Sequence, residues 1–173
     1  MVGNSGSGKS TLARRLATVL DVPFVELDLI FHLPGWQELP PEDFRAAVTE
    51  RVGADAWVVD GNYNTVRELV WHHADTVVWL DLPRSVVMRQ IIPRTLRRVI
   101  TREQLWNGNR EPFGNLWRLD PTKSIIRWAW TQHQKYGDRY SSAMTDPAWQ
   151  HLRFVRLQSH REAEAMLASL TSP

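Results

Sequence analysis

Gly3-Asn4-Ser5-Gly6-Ser7-Gly8-Lys9-Ser10-Thr11 is the stretch on which the reading of this 173-residue chain turns. Residues 3–10 have the spacing Gly-x-x-x-x-Gly-Lys-Ser/Thr, that of a phosphate-binding loop. Glycines let the backbone curl tightly, so that successive N–H groups point inward at phosphate oxygens. A helix predicted to follow at once adds the positive end of its dipole. Lys9 supplies a mobile cation for β- and γ-phosphates, and the Ser10 hydroxyl is placed to coordinate Mg²⁺. The plain alternative is a Gly/Ser turn before a helix. It does not explain why Lys and Ser directly follow the last glycine with an amphipathic run behind them. Gly3, Asn4, Ser5, Gly6, Ser7, Gly8, Lys9, Ser10 and Thr11 are therefore the candidate ATP-binding residues, with Lys9 also catalytic.

Such a loop leaves a buried strand, and a strand typically needs roughly five residues. Only Met1 and Val2 precede Gly3, so the first strand is expected to be truncated. A phosphate loop at residue 3 also leaves no room for a signal peptide ahead of it.

The length suits one domain with a real core. No run of about 18 apolar residues is present, so no transmembrane helix is expected. The absence of cysteine excludes disulfides and thiolate metal sites and fits the cytoplasm. A formal charge of +2 does not suggest a nucleic-acid binder. The charge is uneven, however, because residues 84–102 hold six arginines and no acid. The six histidines are scattered and offer no metal-ligand spacing. Nine tryptophans point to core or cleft walls.

Working outward from the loop, Leu12, Leu16, Val19 and Leu20 share one face of a helix predicted over residues 10–20. Residues 24–28 read as a strand ending at Asp28, and 33–41 as a loop. Phe44, Val48 and Val52 repeat at four-residue spacing, predicting a helix over 42–53. Strands follow at 57–60 and 76–81, separated by a short helix at 65–73. A helix over 85–101 should be kinked by Pro93. Residues 103–121 read as loop, and Asp120 as the cap of a helix running to Tyr136. Ile125, Ile126, Ala129, Trp130 and His133 form its apolar side. A last strand at 152–157 precedes a helix opened by the capping box Ser159-x-x-Glu162. This alternation predicts a single α/β domain, a parallel sheet with helices on both faces. Ligands bind such sheets at the carboxyl ends of the strands.

Three predicted strand ends carry an aspartate: Asp28, Asp60 and Asp81. Asp60 is the preferred Mg²⁺-ordering residue together with Ser10, because Gly61 lets the chain leave the sheet close to the phosphates. Asn62 and Tyr63 add polar groups there. Asp81, followed by Leu82-Pro83, reads as a helix cap. Asp28 is placed to orient an acceptor hydroxyl and accept its proton. Arg94, Arg98 and Arg102 recur every four residues and share a helix side. Guanidinium groups bind phosphate oxygens in a fork. Arginines closing over a transferring phosphoryl group are worth about 10³–10⁵ in rate. Arg94 and Arg98 are therefore candidate catalytic residues, and residues 84–121 a candidate lid hinged near Pro93. The alternative for the stripe is a solvated face, or pairing with Glu103 and Glu111.

At this level of detail the chain resembles the small adenylate-kinase-like P-loop kinases often labelled topology modulation proteins (FlaR-related). The resemblance rests on the phosphate loop, on Glu26-Leu27-Asp28 with Phe31-His32, and on Val58-Val59-Asp60-Gly61-Asn62-Tyr63. It continues through Leu80-Asp81-Leu82-Pro83, Leu105-Trp106-Asn107-Gly108-Asn109-Arg110-Glu111 and Ser124-Ile125-Ile126-Arg127-Trp128-Ala129-Trp130. It implies a three-layer α/β/α P-loop NTPase fold of nucleoside/shikimate-kinase type. The parallel strands would lie in the order 2-3-1-4-5. It also implies ATP and Mg²⁺, and an arginine-bearing lid after the fourth strand. Nucleoside monophosphate kinases of this fold carry Phe-Pro-Arg after the Asp-Gly, whereas Asn62-Tyr63-Asn64 stands here.

The expectation is a kinase moving the γ-phosphoryl of ATP to a small-molecule acceptor. The alternatives are a nucleoside monophosphate kinase of adenylate type and a nucleotide-gated DNA- or protein-binding factor. The even charge argues against the last.

Overall fold

A computed structural model describes residues 1–116, 120 and 124–171. In chain order the elements open with β1 (Val2–Gly3), α1 (Lys9–Leu20), β2 (Phe24–Glu26) and α2 (Leu27–Phe31). A small antiparallel hairpin, β3 (His32–Leu33) and β4 (Gln37–Glu38), turns at Pro34–Trp36. Then come α3 (Pro41–Val52), β5 (Val58–Asp60), α4 (Asn64–His73), β6 (Thr76–Leu80) and α5 (Arg84–Thr101). The chain closes with α6 (Ile125–Ala143), β7 (Arg153–Leu157) and α7 (His160–Thr171).

Five strands form two parallel ladders, β1-β6-β7 and β2-β5. Met1 N donates to Val59 O at 2.7 Å and Gly61 N donates to Met1 O at 3.4 Å, so bonds also run between the ladders. Successive strand residues point to opposite faces, and the core divides accordingly. Val59, Val77 and Trp79 pack with Phe44 and Val48 of α3, Val66 of α4 and Tyr140 of α6. Val58, Val78 and Leu80 pack with Leu12 and Leu16 of α1, Val87 and Ile91 of α5 and Leu167 of α7. Strands covered by helices on both sides read as continuous apolar runs, as Val77-Val78-Trp79-Leu80 does.

Several boundaries differ from the sequence reading. The strand expected over 24–28 stops at Glu26, and Asp28 lies in the first turn of α2 rather than at a strand end. An acid is favoured there by the helix dipole. Asp81 does not cap α5, whose N-cap is Pro83 without a side-chain bond. Its Oδ2 instead accepts from Arg156 Nε at 2.9 Å and Nη2 at 2.6 Å. The helix expected from Asp120 to Tyr136 is α6. It begins at Ile125 with Ser124 Oγ accepting from Arg127 N, and it runs two turns past Tyr136. The extension buries Tyr140 and Ala143 along the same face as Tyr136. Trp130 is not on that apolar side; it is exposed, and the Arg84 guanidinium lies 4.9 Å from its ring centroid. α5 continues through Pro93. Part of the predicted loop 103–121, namely 117–119 and 121, lies outside the described residues.

The capping box forms with its return bond shifted by one residue: Glu162 N donates to Ser159 Oγ at 3.2 Å, and Glu162 Oε2 accepts from Gln158 N at 2.8 Å. The Gln158 amide and the Ser159 hydroxyl hold the Glu162 carboxyl below its ordinary range. Its contribution to α7 is therefore present at neutral pH and is lost as pH falls through the lowered pKa.

Gly61 has φ +147°, and a Cβ built on it would sit 2.8 Å from Leu27 Cβ. Gly61→Ala should cost about 1–3 kcal/mol from backbone strain and overpacking. A urea unfolding curve will show it as a lower midpoint at unchanged slope.

Candidate active site

The loop between β1 and α1 has the backbone that its glycines anticipate. Gly6 and Gly8 have φ of +84° and +93°, and Gly8 is the N-cap of α1. A Cβ on Gly6 would stand 2.7 Å from Ile91 Cβ of α5, so the loop lies tight against the arginine helix. Ser7 N donates to Asn4 O at 3.2 Å, closing the turn. Asn4 Nδ2 donates to Ala129 O of α6 at 2.7 Å and anchors the loop from below. Lys9 and Ser10 form the first turn of α1, Thr11 stands exposed beside them, and Ser5 is half-buried. His160, at the start of α7, approaches Gly8 and bonds Gln90 of α5.

Buried polar atoms without a partner gather around this loop. Among the described residues they include Asn4 Oδ1, Ser7 Oγ and Asp60 Oδ1. Leaving such a group unsatisfied costs about 1–3 kcal/mol. Their presence here, with the left-handed glycines, fits a polar ligand such as a polyphosphate with its cation. Asp60 is only 2 % exposed and sits at the end of β5, opposite Glu26 in the ladder. With Asp81 held by Arg156, Asp60 is the strand-end acid that keeps a carboxylate oxygen without a partner. It and Ser10 carry oxygens of the kind that could hold Mg²⁺. Among the described residues no group of three or more His, Cys, Asp or Glu side chains could hold a metal ion, so waters and phosphate oxygens would complete the coordination of Mg²⁺.

Two consecutive residues after Gly61 tie this loop to Asp28. Asn62, expected as a polar group near the phosphates, is tied to the backbone of the loop's first residue. Its Oδ1 accepts from Gly3 N at 3.2 Å and from Tyr140 OH at 3.0 Å, and its Nδ2 donates to Gly3 O. The carboxamide substitutes for a strand neighbour of β1. Tyr63 OH donates to Asp28 Oδ1 at 2.6 Å and lies 3.4 Å from His32 Nε2. Burial, reinforced by the Asp28 charge, pushes the Tyr63 hydroxyl far above its ordinary pKa, so it stays a donor. Burial lowers the pKa of His32, favouring the neutral ring. Neutral Tyr63 thus occupies one carboxylate oxygen of Asp28 and leaves the other for a further partner.

The arginines separate into two kinds. Arg97 bonds Glu103 at 2.9 Å on the outside. Arg98 reaches Glu103 at 3.6 Å and Glu111 at 3.9 Å, the pairing that the sequence offered as an alternative. Arg102, in the left-handed C-cap position of α5, is exposed, and its guanidinium lies 5.8 Å from the Phe113 ring centroid. Arg94 differs. Its Nε, like that of Arg98, is buried without a hydrogen-bond partner, but among the described residues Arg94 makes no ion pair. Burial, then the neighbouring Arg98, lowers its pKa, while Glu111, Asp28 and Glu103 act in the opposite sense. Arg94 and Asp28 are therefore near enough for their charges to interact. Asn107 and Asn109, read from the sequence only as loop breakers and as part of the family resemblance, act through partners far away along the chain.

No protein-family model matches the chain, and neither does any curated protein. Among solved structures, a crystal structure of a gluconokinase from Sinorhizobium meliloti 1021 is similar to it. The likeness covers 98% of this chain and 90% of that one, with a TM-score of 0.50 and 22% sequence identity. The chain thus shares the fold of that structure, an α/β architecture around a parallel sheet. Among the described residues no helix is long and apolar enough to cross a membrane.

Proposed function

We propose that this protein is an ATP-dependent kinase that phosphorylates a small hydroxylated acceptor. The observation that carries the reading is the Asn62-Tyr63 pair. One residue fixes the phosphate loop through Gly3 and the next fixes Asp28, so donor and acceptor sides are joined through one peptide unit. Bound Mg·ATP would supply the phosphoryl group and a divalent charge beside it. Residues 3–11 would cradle the phosphates, with Lys9 as the mobile cation and Ser10 and Asp60 on the metal. Asp28, with its second oxygen unengaged by Tyr63, would orient the acceptor hydroxyl and accept its proton. Arg94 would neutralise charge developing on the transferred group.

The finer expectations belong to the same proposal. The two ladders are read as halves of one sheet in the order β2-β5-β1-β6-β7, the order 2-3-1-4-5 when only the parallel strands are counted, with a short first strand, and the Met1 bonds to Val59 and Gly61 support this. Residues 84–121 are read as the lid of a single domain, and the chain as an adenylate-kinase-like member of the topology modulation group working in the cytoplasm. The similar structure is that of a gluconokinase, which makes a sugar acid the first acceptor to try. A nucleotide acceptor is less well served. Arg45 donates to Thr65 O and Arg51 to Ala47 O, so the arginines of α3 are directed at backbone carbonyls and not at a phosphate subsite.

Labelled transfer tests the reading. With [γ-³²P]ATP and Mg²⁺, label is expected on a hydroxylated compound from a panel of gluconate, other sugar acids and polyols. Label on a nucleoside monophosphate alone would establish the adenylate-type alternative. No transfer to any compound, from protein that binds ATP, would favour a nucleotide-gated binding factor.

A further inference from the structure

The segment Trp106-Asn107-Gly108-Asn109-Arg110 lies outside the phosphate loop, yet it is bonded both to itself and across to a distant part of the chain. It closes on itself through Leu105 N to Asn109 O at 2.7 Å, Asn109 N to Trp106 O at 3.1 Å and a bridge between Gln104 and Arg110. Its root is fastened to the arginine helix, with Glu103 N donating to Arg98 O at 3.2 Å and the Glu103 carboxylate meeting Arg97 and Arg98. Its tip reaches the segment that carries Asp28. Asn107 Nδ2 donates to Leu29 O at 2.9 Å and to His32 O at 2.6 Å. Asn109 Nδ2 donates to Leu33 O at 2.9 Å, and Asn109 Oδ1 accepts from Trp36 N at 2.9 Å. Trp36 Nε1 donates to Arg110 O at 2.9 Å, and the His32 and Trp106 rings stack with centroids 5.8 Å apart.

These bonds fall where α2 needs them. A helix leaves its last carbonyls without intrahelical partners, and α2 is only five residues long. Such a helix is not stable on its own. Asn107 takes up the carbonyls of Leu29 and His32 from 78 and 75 residues away. Its own backbone is left-handed, φ 54°, a conformation Asn tolerates better than most residues.

We infer that Asn107 and Asn109 are positioning residues, through which the loop at the end of the arginine helix sets the acceptor segment 29–36 and with it Asp28. The part about Asp28 rests on the kinase reading above. Attachment of the loop to that segment does not. The helix bearing Arg94 and the helix bearing Asp28 are thus held as one unit, and the acceptor site is complete only when this loop is seated.

Native-state amide exchange on the full chain tests this. Asn107→Gly admits the left-handed backbone while removing the side chain, and Asn109→Ala removes the carboxamide at an ordinary φ. Each is expected to speed exchange at residues 29–36 about tenfold, the scale of one or two lost hydrogen bonds. Exchange in β6 and β7, and the affinity for Mg·ATP, should stay within twofold of the unsubstituted protein. Unchanged exchange at 29–36 would overturn the inference. So would a uniform acceleration that includes β6 and β7, which marks a merely structural role. Failure to bind ATP would sink the kinase reading and leave the exchange result standing.

Discussion

Lys9→Ala is expected to lose phosphoryl transfer by about 10²–10³-fold, the scale for removing one group aimed at developing charge. Among the described residues the Lys9 ammonium, in the first turn of α1, makes no hydrogen bond or ion pair. No such bond of the native fold depends on its charge, so the thermal midpoint should stay within about a degree or two of the parent. Transfer rate and thermal unfolding, measured on one preparation, separate the two effects. A variant that unfolds early would show Lys9 to be structural, and a variant with full activity would remove the loop from the chemistry.

Arg94→Met is expected to cost a comparable factor, about 10²–10³ in kcat, for a different reason. Arg94 is a largely buried cation whose pKa is lowered by burial and by Arg98. Burying such a charge without full pairing is unfavourable, so an apolar residue of similar volume should leave stability unchanged or raise it. The cost of carrying the arginine is then explained by what it does when an anion arrives. Arg98→Met should behave in the reverse way. Glu103 and Glu111 already engage Arg98, so its loss should lower stability more and kcat less. Single-turnover transfer to the acceptor found by labelling, set beside ATP affinity, distinguishes the cases. If Arg94→Met weakens ATP binding as much as it slows transfer, Arg94 is a binding residue and not a transition-state one.

What the sequence disclosed and what it hid follow from the range of the interactions. α1 was legible because Leu12 and Leu16 recur at helical spacing directly after a loop whose glycines admit few conformations. β6 was legible as an unbroken apolar run. The switch from strand to helix at Leu27 was not, because Leu27-Asp28-Leu29-Ile30-Phe31 continues the apolar character of Phe24-Val25 and short apolar runs fit either period. The start of α6 was placed too early because Asp120 and Ser124 are both good caps, and only the packing of Tyr136, Tyr140 and Ala143 sets the helix phase. Trp130 looked like core because a large aromatic usually is; its ring is instead covered by Arg84 from another helix.

The candidate site divides along the same line. Its phosphate side is contiguous in the chain and was readable from it. The acceptor side is assembled from residues 28, 32, 63, 94 and 107, and each pairing spans tens of residues. Tyr63 was noticed only as a polar group, and its bond to Asp28 appears once β2 and β5 lie side by side in register. Asn62 and Asn107 satisfy backbone groups, a role that side-chain identity alone does not reveal.

The central claim is that residues 3–11 form a nest for a nucleotide polyphosphate, and calorimetric titration of the folded chain with ATP and Mg²⁺ tests it most directly. The account predicts saturable one-to-one binding that weakens at least tenfold when Mg²⁺ is omitted or Lys9 is replaced. Heat no greater than dilution, from protein whose circular dichroism shows it intact, would contradict it.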